Sequence, residues 1–135
     1  VTVFLADSNV LIDIATNDAA WADWSLRQLD AASASGCVVV NPVIYAELSV
    51  AYQKIEALEA VLSALKLEML EIPRPALFLA ARVFRDYRRS GGQCASVLPE
   101  FFVGAHAAVE RMTLITRDAR RRRWFPTVRI IAPHI

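Results

Sequence analysis

The chain lacks a set of histidines and cysteines spaced to hold a soft metal. Its two cysteines, Cys37 and Cys94, stand alone, so neither a zinc motif nor a disulfide framework is written into it. Cys37 opens an expected strand and reads as a core thiol, and this sparse use of cysteine suits a reducing cytoplasm. The longest apolar run, residues 76–81, is too short to span a bilayer. No basic region or long apolar segment opens the chain, so no secretory signal is expected. There is no repeat, no low-complexity segment and no break in composition, which leaves residues 1–135 as a single domain. The Gly91-Gly92 pair reads as a turn rather than a phosphate loop, because neither a Lys nor a strand-to-helix passage follows it.

What is present is a packed, globular composition: 56% hydrophobic and 21% charged over 135 residues. The net charge of +1 hides a division. Residues 1–110 carry 8 basic and 13 acidic side chains, whereas residues 111–135 carry 7 Arg against Asp118 alone. A basic end of this kind suits a polyanion or an acidic partner, and equally a solvated helix face.

The stretch Val1-Thr-Val-Phe-Leu-Ala-Asp7-Ser-Asn-Val-Leu-Ile-Asp13 organises the rest. Residues 1–6 are continuous, β-branched and uncharged, as in a buried parallel strand. Ser8 and Asn9 are good helix caps, so Asp7 sits where a strand hands over to a helix. Further helices are expected at 21–34, 42–53, 55–65, 75–89, 99–110 and 119–124, and strands at 37–41, 67–72, 112–116 and 128–131. Asn41-Pro42 and Pro99 are strong helix starts, and Gly36 is placed to end the helix before it. Alternating strands and helices give an α/β fold with a mostly parallel sheet.

Four carboxylates recur at strand exits and helix starts. Asp7 ends the first strand, Asp118 follows residues 113–116, Glu47 lies one turn into a helix, and Glu100 is the second residue of another. In an open parallel sheet such positions converge on one crevice. Four acids there repel one another unless a hard cation neutralises them, and Mg²⁺ or Mn²⁺ takes carboxylate oxygen and water. Ions of that kind can activate a water for phosphodiester hydrolysis. Each acid also has a plainer reading. Asp7 and Asp118 could cap helices, Glu100 could simply favour a helix dipole, and Glu47 could be an exposed helix residue. Asp13 reads as a solvated helix end or as a group that orients a ligand.

These residues resemble a family. Asp7-Ser-Asn-Val-Leu-Ile-Asp13, the helical Glu47, Leu98-Pro-Glu-Phe-Phe-Val-Gly-Ala-His-Ala107 and Leu114-Ile-Thr-Arg-Asp118 look like the PIN-domain ribonucleases, and most of all the VapC-type toxins of bacterial type II toxin–antitoxin pairs. The likeness runs on through Arg120-Arg-Arg-Arg-Trp-Phe-Pro126 and covers nearly the whole chain. It implies a three-layer α/β/α domain with a five-stranded, mainly parallel sheet. It also implies a Mg²⁺-dependent endoribonuclease, usually dimeric, restrained by a cognate VapB-type antitoxin. Asp7, Glu47 and Asp118 match the family's acidic positions, but Leu98-Pro-Glu100 stands where the family pattern is Leu-Pro-Asp.

On this reading Asp7, Glu47, Glu100 and Asp118 hold the metal, and Asn9 and Thr116 orient carboxylates. Arg117, Arg120, Arg121, Arg122 and Arg123, with Arg129, hold the RNA backbone. The aromatic residues Trp21, Trp24, Tyr45 and Tyr52 are docking candidates for the antitoxin, and equally core residues. His106 lies six residues past Glu100, about 120° round the helix, and reads as structural rather than as a general base. Two other readings stand beside the nuclease: a PIN scaffold weakened at Glu100 that binds RNA or an antitoxin without efficient cleavage, and a phosphoaspartyl enzyme with Asp7 as nucleophile. The second usually wants another Asp two residues on, where this chain has Asn9.

Overall fold

A computed structural model describes residues 1–94 and 97–133, and the backbone alone at Arg121 and Arg122. The chain runs β1 (Thr2–Ala6), α1 (Ser8–Ala15), α2 (Ala22–Ser35), β2 (Gly36–Val40), α3 (Pro42–Ser49), α4 (Ile55–Ala64), β3 (Glu68–Met69), α5 (Arg74–Arg89), α6 (Leu98–Glu110), β4 (Thr113–Ile115) and β5 (Ile130–Ile131), with a 3₁₀ helix at Ala119–Arg123 before the last strand. The five strands form one sheet in the order β3-β2-β1-β4-β5. Every neighbouring pair is parallel.

That order decides where a ligand can sit. From β1 the chain moves outward to β2 and β3, then returns past β1 to β4 and β5. Parallel crossovers are right-handed, so the reversal puts the two sets of connecting helices on opposite faces. It also opens a crevice at the carboxyl ends of β1 and β4, the switch point of the sheet. The register there pairs Ala6 with Ile115. The Asp7 amide donates to the Ile115 carbonyl, and the Thr116 amide donates to Ile131. Asp7 and Thr116 therefore leave the sheet side by side.

Burial explains the strands. Consecutive residues Phe4 to Ala6, Val38 to Val40 and Thr113 to Ile115 are all buried, as strands covered on both faces require. Glu68 and Met69 are exposed, which marks β3 as an edge and keeps it to 2 residues, shorter than the strand expected at 67–72. Likewise α3 stops at Ser49, whose hydroxyl donates back to the Tyr45 carbonyl, rather than running on to residue 53. The loop expected at 93–97 falls partly outside the described residues. Cys37 is exposed, not the core thiol expected, because inward and outward positions alternate at the open start of β2.

Gly36 has a reason other than ending α2. A Cβ there would stand 2.1 Å from the Thr2 carbonyl oxygen on the paired strand. That oxygen is main chain and cannot swing aside. Gly36→Ala is therefore expected to lower stability by about 1–3 kcal/mol, the cost of forced overpacking, as read from the urea midpoint.

Candidate active site

Asp7 follows β1 with only 1% of its surface exposed, and both of its oxygens are engaged. One accepts from the Ser8 amide at 2.8 Å, which caps α1. The other accepts from the Thr116 hydroxyl at 2.8 Å. That hydroxyl in turn accepts from the Asn9 side-chain amide at 3.1 Å and from the Asp118 backbone amide at 3.0 Å. Asn9 closes the circuit by accepting from the Arg117 amide. On the other side the Ser8 hydroxyl donates to Glu47 at 3.0 Å. One continuous network thus joins the exits of β1 and β4 to the first turn of α1 and to α3, and it brings together Asp7, Glu47 and the Asp118 backbone.

Glu100 enters from α6, in the first turn after Leu98-Pro99. It shares a cavity of about 450 Å³ with Asp118, and Arg120 and Arg123 stand at the same opening. The Asp118 carboxylate takes the Arg120 guanidinium at 2.8 and 2.9 Å and caps the Arg120 amide at 3.0 Å. The negative charges of Asp118 and, more distantly, Glu100 hold Arg120 still further toward its charged form.

Arg117 is engaged elsewhere. It grips Asp13 through two contacts, of 2.6 and 3.0 Å, and its guanidinium lies 5.3 Å from the Trp21 ring centre. Asp13 is buried, not a solvated helix end, and also accepts from the Ser25 hydroxyl. This pair ties α1 and α2 to the residue next to Asp118. Arg123 lies over Trp124 at 5.2 Å, and Arg129 is exposed. The side chains of Arg121 and Arg122 lie outside the described residues. The role of Ser8 escaped the sequence reading, which took it for a cap; its neighbour Asp7 was the available signal. The aromatic wall of the cavity was missed as well, since Trp124 and Phe125 come close to Phe101 only in the fold.

The donors are carboxylate oxygens, which suit Mg²⁺ or Mn²⁺ and not a softer ion. Among the described residues no three His, Cys, Asp or Glu side chains already converge as a ligand set. The donor chemistry fits a hard cation; the Asp118 carboxylate would have to yield its hold on Arg120 to serve one.

His106 is buried away from the acids, and its Nδ1 lies 3.1 Å from the Asn41 side-chain amide. Asn41 accepts from the Ile44 amide with its oxygen, so its nitrogen donates and the histidine accepts at Nδ1. The ring is structural and neutral, and burial lowers its pKa, partly opposed by Glu110. The unfolded chain then holds a proton near pH 6.5 that the folded chain refuses, so stability falls as pH drops below about 6.5. The slope from this group reaches at most about 1.4 kcal/mol per pH unit. His106→Gln should flatten the acid side of a stability–pH curve; an unchanged slope would show that the histidine does not contribute it.

A model of the PIN domain matches residues 4–124. Among solved structures, the chain resembles VapBC2 from Rickettsia felis, determined with a DNA fragment from its promoter, with a TM-score of 0.77 at 17% identity over 97% of this chain and 98% of that one. It resembles DNA-bound VapBC from Salmonella typhimurium with a TM-score of 0.72 at 18% identity, covering 98% of each chain. VapBC-1 from nontypeable Haemophilus influenzae gives 0.72 at 15% identity, over 97% of this chain and 98% of that one. At such identities the likeness is one of fold. No curated protein matches the chain in sequence.

Proposed function

The chain belongs to the PIN-domain family, and we propose that it is a Mg²⁺-dependent endoribonuclease, the VapC-type toxin of a toxin–antitoxin pair. The observation that carries this reading is the hydrogen-bonded circuit that links Asp7, Glu47 and the Asp118 loop at the switch point of the sheet. Asp7, Glu47, Glu100 and Asp118 are the residues that would hold Mg²⁺, or Mn²⁺ in its place. When bound, that ion supplies an activated water and neutralises charge at the scissile phosphate. The chain's own part is positional. Ser8 and Thr116 fix both oxygens of Asp7, and Asn9 fixes the backbone that presents Asp118. Arg120 and Arg123, exposed at the cavity mouth, would take the RNA backbone, with Arg121, Arg122 and Arg129 alongside. The grip of Arg117 on Asp13 gives it a structural share in this rather than a free charge.

The partner we propose is a VapB-type antitoxin, supported by solved relatives that are VapBC complexes. Tyr45 and Tyr52 border a second cavity of about 170 Å³ with Ile55 and Leu58, an apolar seat for a helix. Trp21 and Trp24 meet edge to face, half-buried, on another side. A homodimer acting in the cytoplasm completes the proposal; no described helix is long and apolar enough to cross a membrane.

A weakened scaffold is the second reading, favoured by Glu100 and by the hold of Asp118 on Arg120. Asp7→Asn should leave the fold intact and lower Mg²⁺-dependent cleavage of total cellular RNA by about 10²-fold or more; cleavage at the parental rate would refute the assignment of the acids.

Glu100 tests the choice between the two readings. Its backbone is fixed by Pro99 before it and by buried Phe101 after it, so the longer side chain must fold back to put an oxygen where Asp would. Glu100→Asp is expected to raise the single-turnover rate at saturating Mg²⁺ by up to about 10²-fold, with a smaller gain in Mg²⁺ affinity. Equal rates would mean that Glu100 already serves as well as an Asp.

A further inference from the structure

We infer that the cavity beside Glu100 and Asp118 is a pocket for one unstacked RNA base, with a preference for bases that carry an exocyclic amino group. This inference rests on the ribonuclease reading and names the substrate feature which that site would recognise.

The cavity has two unlike walls. Glu100 and Asp118 form one, while Phe101, Trp124, Phe125 and Val97 form the other. Its mouth carries the guanidinium groups of Arg120 and Arg123. The apolar wall is rigid. Trp124 stands edge-on to Tyr87 with ring centres 5.7 Å apart and tilts against Phe101 at 6.0 Å. Phe125 meets Phe101 at 6.0 Å. Its ring also packs into the space left at Gly104, where a Cβ would come within 2.3 Å of it. A wall held this way loses little freedom when a ligand arrives.

The occupant must therefore have apolar faces, a polar edge and an attached anion. A nucleobase has all three. Half-buried Trp124, with the Arg123 guanidinium 5.2 Å from its ring centre, makes a flat cationic platform on which a base can lie. The phosphate joined to that base then falls at the mouth, beside Arg120 and Arg123. The edge turned inward meets carboxylates, which only accept hydrogen bonds. An amino group on C, A or G satisfies them; the carbonyl edge of U does not. A base inside a duplex cannot reach this wall, so the RNA must be single-stranded or looped at that point. An aliphatic peptide side chain would fill the apolar wall but leave the acidic wall unmatched.

The test compares equilibrium binding, by fluorescence anisotropy with Ca²⁺ in place of Mg²⁺, of three labelled hexaribonucleotides of equal charge: all-C, all-U and fully abasic. We expect all-C to bind about 5- to 100-fold more tightly than the abasic strand, with all-U between them. Trp124→Ala should bring all-C down toward the abasic strand, and Trp124→Phe should restore most of the difference. If Trp124→Ala loses its fold, the three strands on the wild-type protein still decide. Equal binding of all-C and abasic RNA overturns the pocket, as does a C-over-abasic preference that Trp124→Ala leaves untouched. Cleavage of cellular RNA in Mg²⁺ together with equal binding would remove the pocket and leave the nuclease. The C-over-abasic preference without any cleavage would leave the pocket and remove the nuclease.

Discussion

The site depends on one hydroxyl. Thr116 Oγ1 gives its only proton to Asp7 and takes protons from the Asn9 side chain and the Asp118 amide. A hydroxyl has one proton and two lone pairs, so this one is saturated. It stands where it does because the β1–β4 register puts the residues after Ala6 and Ile115 next to each other. Sheet pairing over three residues thus sets the relation between two acids that are far apart in sequence. The hydroxyl transmits that relation without adding charge, which a second carboxylate or a lysine in its place would do.

Charge is the second constraint. Asp7 is buried and supported by neutral donors, the Ser8 amide and the Thr116 hydroxyl. Asp13, just as buried, is matched instead by a guanidinium, with the Ser25 hydroxyl beside it. The two treatments suit two purposes. A carboxylate held by neutral donors keeps its charge available to a cation, whereas an Arg-paired one is spent on structure. Asp118 lies between these cases: its partner Arg120 has 88% of its side chain exposed, so water screens the pair and little free energy opposes its opening.

The sequence made the strand exits legible because buried parallel strands are continuous apolar runs, and an acid ending such a run is conspicuous. Asp7 and Asp118 stood out that way, and the order of strands and helices followed from the same periodicity. The ends of elements were less legible. At β3 and α3 the boundary is set by exposure and by a back-bonded Ser49, neither of which leaves a strong local pattern. Asp13 was hidden for a similar reason: its partner Arg117 lies 104 positions away, and only the fold shows that a helix end is buried there. Cys37 misled because apolar neighbours do not reveal which face of an edge-proximal strand position meets water. The family resemblance added the metal and the reaction, which no spacing of four acids can supply alone.

The carboxylates and the aromatic wall are not independent. Glu100 and Phe101 are consecutive on α6, and Asp118 reaches Trp124 and Phe125 through a single 3₁₀ turn. Each segment therefore carries one acid and one or two rings. The rings lock the segments together where Phe101 meets Trp124 and Phe125, and that packing fixes the separation of the acids attached to them. A residue added at Gly104 would push Phe125 outward and move both walls together. Geometry at the acidic wall is thus a consequence of packing at the apolar one. This is why α6 keeps a glycine in its middle, where helix propensity alone would favour alanine by about 1 kcal/mol.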